Sequence, residues 1–159
     1  MEYVFLHSVH SNPIDRQART FSYAGNADAP GIFTSVGNLA EYSIEAISQP
    51  NAEQGGSYYV DSFRASPMEM VQACEEAHGI KLELKCLGNA DEVDQMLADC
   101  RAKVPVYKFL DVPVYSGLAY ASNQIRNVWN YESVDSSGRW NHVKRVGPKE
   151  WFAKYPELK

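Results

Sequence analysis

The residues able to do chemistry in this 159-residue chain fall into three sets: four histidines, three cysteines and two short runs of carboxylates. His7 and His10 could share one helical face, but no thiol or carboxylate ligand stands beside them, so the spacing predicts an ordinary pair and no metal site. Cys74, Cys86 and Cys100 lack the C-x-x-C spacing of a metal or redox pair and are expected to be buried, reduced thiols. Glu75-Glu76 and Asp91-Glu92-Asp94 each lie on the polar side of an amphipathic stretch. They are expected to be solvated faces, since a general acid–base pair needs carboxylates held together in a cleft. Tyr58-Tyr59 has no lysine four residues on. No G-x-G-x-x-G follows a strand-like run, and there is no P-loop, G-x-S-x-G elbow or H-E-x-x-H. Residue chemistry alone thus assigns no catalytic, metal-binding or cofactor-binding residue.

The elements that would position such groups are clearer. Ile32 to Val36 is a β-branched and aromatic run that feeds directly into an amphipathic stretch. There Leu39, Ala40, Ser43, Ile44 and Ile47 recur at the 3.6-residue period, and this stripe is expected to pack in a larger protein. Before it, Met1 to Leu6 is a short strand or helix start broken at Ser11-Asn-Pro13. Phe21-Ser-Tyr23 is a short strand followed by a hairpin-type turn at Gly25-Asn26.

After it, Gln49-Pro50 stops the helix, Gly55-Gly56 connects, and Tyr58 to Val60 is a further short strand. Ser66-Pro-Met-Glu69 carries a capping serine, a proline at the first helical position and a glutamate at the third. That arrangement predicts a helix with Met70, Val71, Cys74 and Ala77 inward and Gly79 as its left-handed stop. Ile80, Leu82, Leu84 and Cys86 alternate with charged residues, as in a half-exposed strand. Asn89 caps another helix with Val93, Met96, Leu97 and Cys100 inward. Pro113 opens a helix reaching Arg126. Val128–Tyr131 and Trp140–Val146 read as strands, and Gly147-Pro148 begins a last helix with Trp151, Phe152 and Tyr155.

Composition bounds the function classes. Twenty acidic against fifteen basic residues give a formal charge of −5 with no basic stripe, which argues against nucleic-acid binding. No apolar run reaches the roughly 18 residues of a membrane span, and no signal-like leader opens the chain. A single α/β domain over residues 1–159, cytoplasmic and without membrane partners, is the expectation.

The order of motifs resembles the C-terminal half of the NmrA-like and isoflavone-reductase-like proteins, a branch of the atypical short-chain dehydrogenases. Phe21-Ser-Tyr-Ala-Gly-Asn26 resembles their y-G-d-G-n turn, and Asn38-Leu-Ala-Glu-Tyr42 their D-I-x-x-y helix start. Ser48-Gln-Pro-Asn51 resembles the short dP connection, and Tyr58-Tyr-Val60 the strand after it. Ser66-Pro-Met-Glu-Met-Val71 and Gly79-Ile-Lys81 resemble the s-x-n-E-l-v helix and its end. Asn130-Tyr-Glu132 and Val146 to Phe152 match the closing motifs. The likeness spans about Phe21 to Phe152. The family's aspartate is Asn38 here, which keeps the ability to cap a helix and loses the charge; Asn38→Ala is then expected to cost about 1 kcal/mol.

The resemblance implies an NAD(P)-binding, Rossmann-like fold of which this chain holds the substrate lobe. The glycine-rich cofactor turn and the catalytic lysine of the reductases belong to the half this chain lacks, so it resembles a truncated form. The resemblance implies no cofactor for this chain alone and NAD(P) for the complete fold. It further implies a small-molecule substrate, with Tyr115, Tyr120 and Asn123 as pocket-lining candidates. A homodimer or a partner chain would supply the other half. The competing expectation is a stand-alone, non-catalytic module that binds a small molecule or another protein.

Overall fold

The computed structural model describes residues 13–103, 115–126 and 140–156. Two small sheets carry the fold. Strand β1 (Ile14–Asp15) pairs antiparallel with β2 (Thr20–Tyr23), which pairs in parallel with β5 (Glu83–Cys86), in register Phe21↔Leu84 and Tyr23↔Cys86. Strand β3 (Gly31–Phe33) and β4 (Phe63–Ala65) form an antiparallel pair with Phe33 opposite Phe63, their rings stacked at 5.3 Å. Among the described residues five α-helices accompany them: α1 (Val36–Ile47), α2 (Pro67–His78), α3 (Ala90–Lys103), α4 (Ser116–Ile125) and α5 (Pro148–Ala153). A 3-10 turn spans Ala52–Gln54. Parallel pairing of β2 and β5 requires a long crossover, and the chain from β3 through α2 supplies it. The architecture is mixed α/β, with short strands between capped helices.

Helix α2 forms where local sequence dictates. Ser66 Oγ accepts from the Glu69 amide at 3.2 Å, and Glu69 Oε2 accepts from the Ser66 amide at 2.7 Å. Pro67 occupies the first turn, and Gly79 ends the helix at φ 67°. Its inner face carries Met70, Val71, Ala73 and Cys74 into the main core, with Phe21, Phe63, Ala65, Trp151 and Phe152. Helix α5, opened by Pro148, supplies Trp151 and Phe152, the latter with no exposed surface. A smaller cluster gathers Tyr42, Trp140 and Val143 on the other flank, where Tyr42 and Trp140 meet edge to face at 5.4 Å.

Several expectations fail, each for a tertiary reason. Helix α1 is capped by Ser35, whose Oγ accepts from the Asn38 amide at 3.1 Å, so Asn38 is the third helical residue and not the cap. The α1 stripe, expected to pack in a larger protein, lies in solvent in this chain: Leu39 is 50% exposed, Ile44 58% and Ile47 74%, with Ala40 and Ser43 also exposed. The inward residues are Asn38 and Tyr42. Gly25-Asn26 does not close a hairpin, because β2 and β3 belong to different sheets. Tyr58–Val60 lies outside the sheets and the strand begins at Phe63, while Trp140 opens a turn that leads into an irregular stretch. Of the thiols only Cys74 is buried; Cys86 is exposed and Cys100 half-buried. The expectations for Met1–Leu6, His7, His10, Pro113 and 128–131 lie outside the described residues.

Candidate functional site

In α/β folds, ligands sit beyond the carboxyl ends of parallel strands, where diverging connections leave space. Here those ends are Tyr23 on β2 and Cys86 on β5, paired in register. The chain leaves β2 through Gly25 (φ 75°) and β5 through Gly88 (φ 129°), backbone angles that side-chain-bearing residues seldom adopt. The Gly25 amide donates to the Gly88 carbonyl at 2.9 Å and ties the two exits together. Helix α4 comes down on this junction: a Cβ at Gly25 would stand 3.1 Å from Ile125 Cγ1. Burial, followed by the neighbouring Cys86, pushes the Tyr23 phenol above its ordinary range, so it stays a neutral hydrogen-bond donor at physiological pH.

Helix α4 is held in place by α3. Ser122, buried at mid-helix, donates to Asp94 Oδ1 at 2.5 Å, and Arg126 pairs with Asp94 Oδ2 and lies 3.7 Å from Asp91. The Ser122 hydroxyl and then the Arg126 guanidinium hold the Asp94 carboxyl below the usual range. Asp94 is therefore an ionised anchor between helices, and a general acid it is not. This anchor escaped sequence reading because its partners stand 28 and 32 residues away. The only local signal was the spacing of Ser122 and Arg126, one turn apart on the same side of the helix.

The three pocket candidates all belong to the α4 segment. Tyr120 and Asn123, one turn apart and half-buried, share a face of the helix. Tyr115 precedes the first turn, and Arg101 of α3 lies over its ring at 5.4 Å. The helical turn sets Tyr115 well round from Tyr120, so the three candidates are spread about the helix. Phenol hydroxyls and one carboxamide can accept, donate and orient; they supply no nucleophile with an attached base. Among the described residues, no group of three His, Cys, Asp or Glu side chains could hold a metal ion.

The starts of α1, α2 and α3 do not fit a dinucleotide. A pyrophosphate needs free first-turn amides. At α3, following β5 and Gly88, the Asp91 and Glu92 amides already donate to Asn89 Oδ1 at 3.0 and 3.1 Å. Glu92 Oε2 closes the end by accepting from the Asn89 amide at 2.8 Å, and its carboxylate would repel a phosphate. Ser35 and Ser66 occupy the starts of α1 and α2 in the same way.

No family model and no curated protein sequence matches this chain. Its fold is similar to a crystal structure of isoflavone reductase: the TM-score is 0.67 at 18% sequence identity, over 98% of this chain and 50% of that one. The chain thus spans half the length of the protein it resembles, and the likeness is one of fold. No helix among the described residues is long and apolar enough to cross a membrane.

Proposed function

We propose that this chain forms the substrate-binding lobe of an NmrA-like, NAD(P)-dependent reductase or redox-sensing regulator, with the cofactor held by residues outside it. The observation that carries the reading is the fold match, which places nearly all of this chain on half of an isoflavone reductase. The capped starts of α1, α2 and α3 support the division of labour, since side chains of the chain itself already accept from their first-turn amides. NAD(P)H, where bound, would supply a hydride; no hydride step is assigned to residues of this chain. What they do is bind and orient. Tyr120 and Asn123 offer donors and an acceptor from one helical face, and Tyr23 stands at the carboxyl end of β2. Such a set suits a small, planar, oxygenated ring compound of the kind the isoflavone reductase is named for. Dimerisation, or a partner chain supplying the remaining half, belongs to the same proposal.

The test is a pair of titrations. Calorimetry with NADPH should give no saturable heat, and tight binding would overturn the division of labour. An isoflavone added to isotope-labelled protein should shift the amides of α4 and of residues 23–25 together, and Tyr120→Phe with Asn123→Ala should abolish those shifts. Shifts confined elsewhere, or none at all, would overturn the assigned site. The rival, a stand-alone interaction module, is favoured by one observation, the exposed apolar stripe of α1.

A further inference from the structure

Helix α4 ends against two glycines, one from each sheet. Ile125 lies on Gly25 at the exit of β2, and one residue earlier the Gln124 carboxamide lies over Gly31, the buried first residue of β3. A Cβ built on Gly31 would stand 3.2 Å from Gln124 Cδ, closer still to Nε2, and 3.1 Å from Phe33 Cε2. The carboxamide head thus fills the space of the missing side chain, beside the edge of the Phe33 ring. Gln124 is nevertheless the exposed residue of α4, whose other side chains are half-buried or buried. The Asn38 carboxamide is spent on Ser62, Lys144 and Val146, whereas no hydrogen bond to another described residue engages that of Gln124.

We propose that Gln124 is a further ligand-contacting residue, placed by Gly31, and that it selects a neutral, flat ring compound with free hydroxyls. The proposal rests on the substrate-lobe reading and extends the site by one residue. Tyr120 stands three residues from Asn123 and four from Gln124, so the three side chains share one side of α4. That side carries a phenol and two carboxamides and no charge. Asp94 and Arg126 neutralise each other toward α3. A carboxamide donates and accepts at one head, which matches a ring hydroxyl, a group that also does both. A carboxylate ligand would find no cation on this side of the helix to pair with. Phe33, half-buried and stacked on Phe63, gives a flat ring an apolar edge to lie against.

The test is calorimetric titration of the chain with an isoflavone bearing free ring hydroxyls and with its fully O-methylated analogue. The hydroxylated compound should bind about tenfold more tightly. Gln124→Leu keeps the size of the side chain and removes its hydrogen bonds. It should weaken the hydroxylated compound about tenfold and leave the methylated one unchanged. Gly31→Ala is compatible with the backbone there, where φ lies outside the left-handed region, and it displaces the carboxamide. It should cost a similar factor, and the two losses should not add, because both act through one group. A preference for the hydroxylated compound that survives Gln124→Leu would overturn the proposal and leave the substrate lobe standing, as would losses that add in full. A chain that binds neither compound, or whose binding is untouched by Tyr120→Phe with Asn123→Ala, would overturn both.

Discussion

Helices α1 and α2 are each twelve residues long and each start from a serine cap, yet they are oriented in opposite senses. Helix α2 buries Met70, Val71, Ala73 and Cys74 among aromatic side chains. Helix α1 buries an asparagine and a tyrosine and leaves its leucine and isoleucines in water. The difference lies in what each helix meets. Under α2 are the apolar sides of β2 and β4 and the Trp151–Phe152 pair. Under α1 is a polar seam: Asn38 Oδ1 accepts from Ser62 Oγ at 2.7 Å and from the Val146 amide at 3.0 Å, and Asn38 Nδ2 donates to the Lys144 carbonyl at 2.9 Å. Tyr42 donates to the Asp61 carbonyl at 3.0 Å, and the fully buried Asp61 carboxylate is paired with Arg145 and Arg64. A helix can be docked by hydrogen bonds as firmly as by aliphatic burial, provided every buried polar atom finds a partner.

The comparison can be broken from the apolar side first. Phe152→Ala empties the centre of the α2–α5 contact and should cost about 3–5 kcal/mol, read as a lower denaturant midpoint at unchanged slope. Asn38→Ala should follow at about 2–4 kcal/mol, because it strands the buried Val146 amide and takes away one partner each of the Ser62 hydroxyl and the Lys144 carbonyl. That exceeds the cost of about 1 kcal/mol expected for a cap, and a loss of only 1 kcal/mol would mean that water or a shifted loop satisfies the seam. Ser66→Ala removes a true cap and should cost about 1 kcal/mol in the same assay.

The smaller effects sharpen the contrast. Ile47→Ala on the outer face of α1 should change the stability of the monomer by less than about 0.5 kcal/mol. A larger loss in dilute solution would show that the stripe is covered within the single chain. At the end of α2, Glu75 accepts from Lys81 Nζ at 2.6 Å and from the Leu82 amide at 2.9 Å, which holds its carboxyl below the ordinary range. A lowered folded pKa contributes stability that is present above the unfolded carboxylate range and is lost as pH falls through the folded value. Glu75→Gln should therefore flatten the acid limb of the stability profile and leave the neutral region nearly level.

Where sequence reading succeeded, the deciding interactions were close along the chain. The Ser66–Glu69 and Asn89–Glu92 caps link residues three apart, Pro67 and Pro148 open their helices at the first turn, and Gly79 stops one. The strand Phe21–Tyr23 and the alternation of Leu82 and Leu84 were legible for the same reason. The candidate site was only partly legible. Tyr120 and Asn123 fall on one helical face, as spacing requires, whereas the Tyr23–Cys86 pairing and the Asp94 anchor join segments whose adjacency no local pattern records.

The chain by itself determined its capped helices, its short strands and its mixed α/β class, because caps, prolines and periodicity act within a few residues. Only the tertiary structure decided which side of α1 faces inward. A stripe of period 3.6 says that a helix has an apolar side and says nothing of what that side will meet. Ser62 and Val146, 24 and 108 residues beyond Asn38, converge on its carboxamide and turn the helix polar side in. Burying that many matched donors and acceptors outweighed burying four aliphatic side chains, which were left for water or for a neighbour.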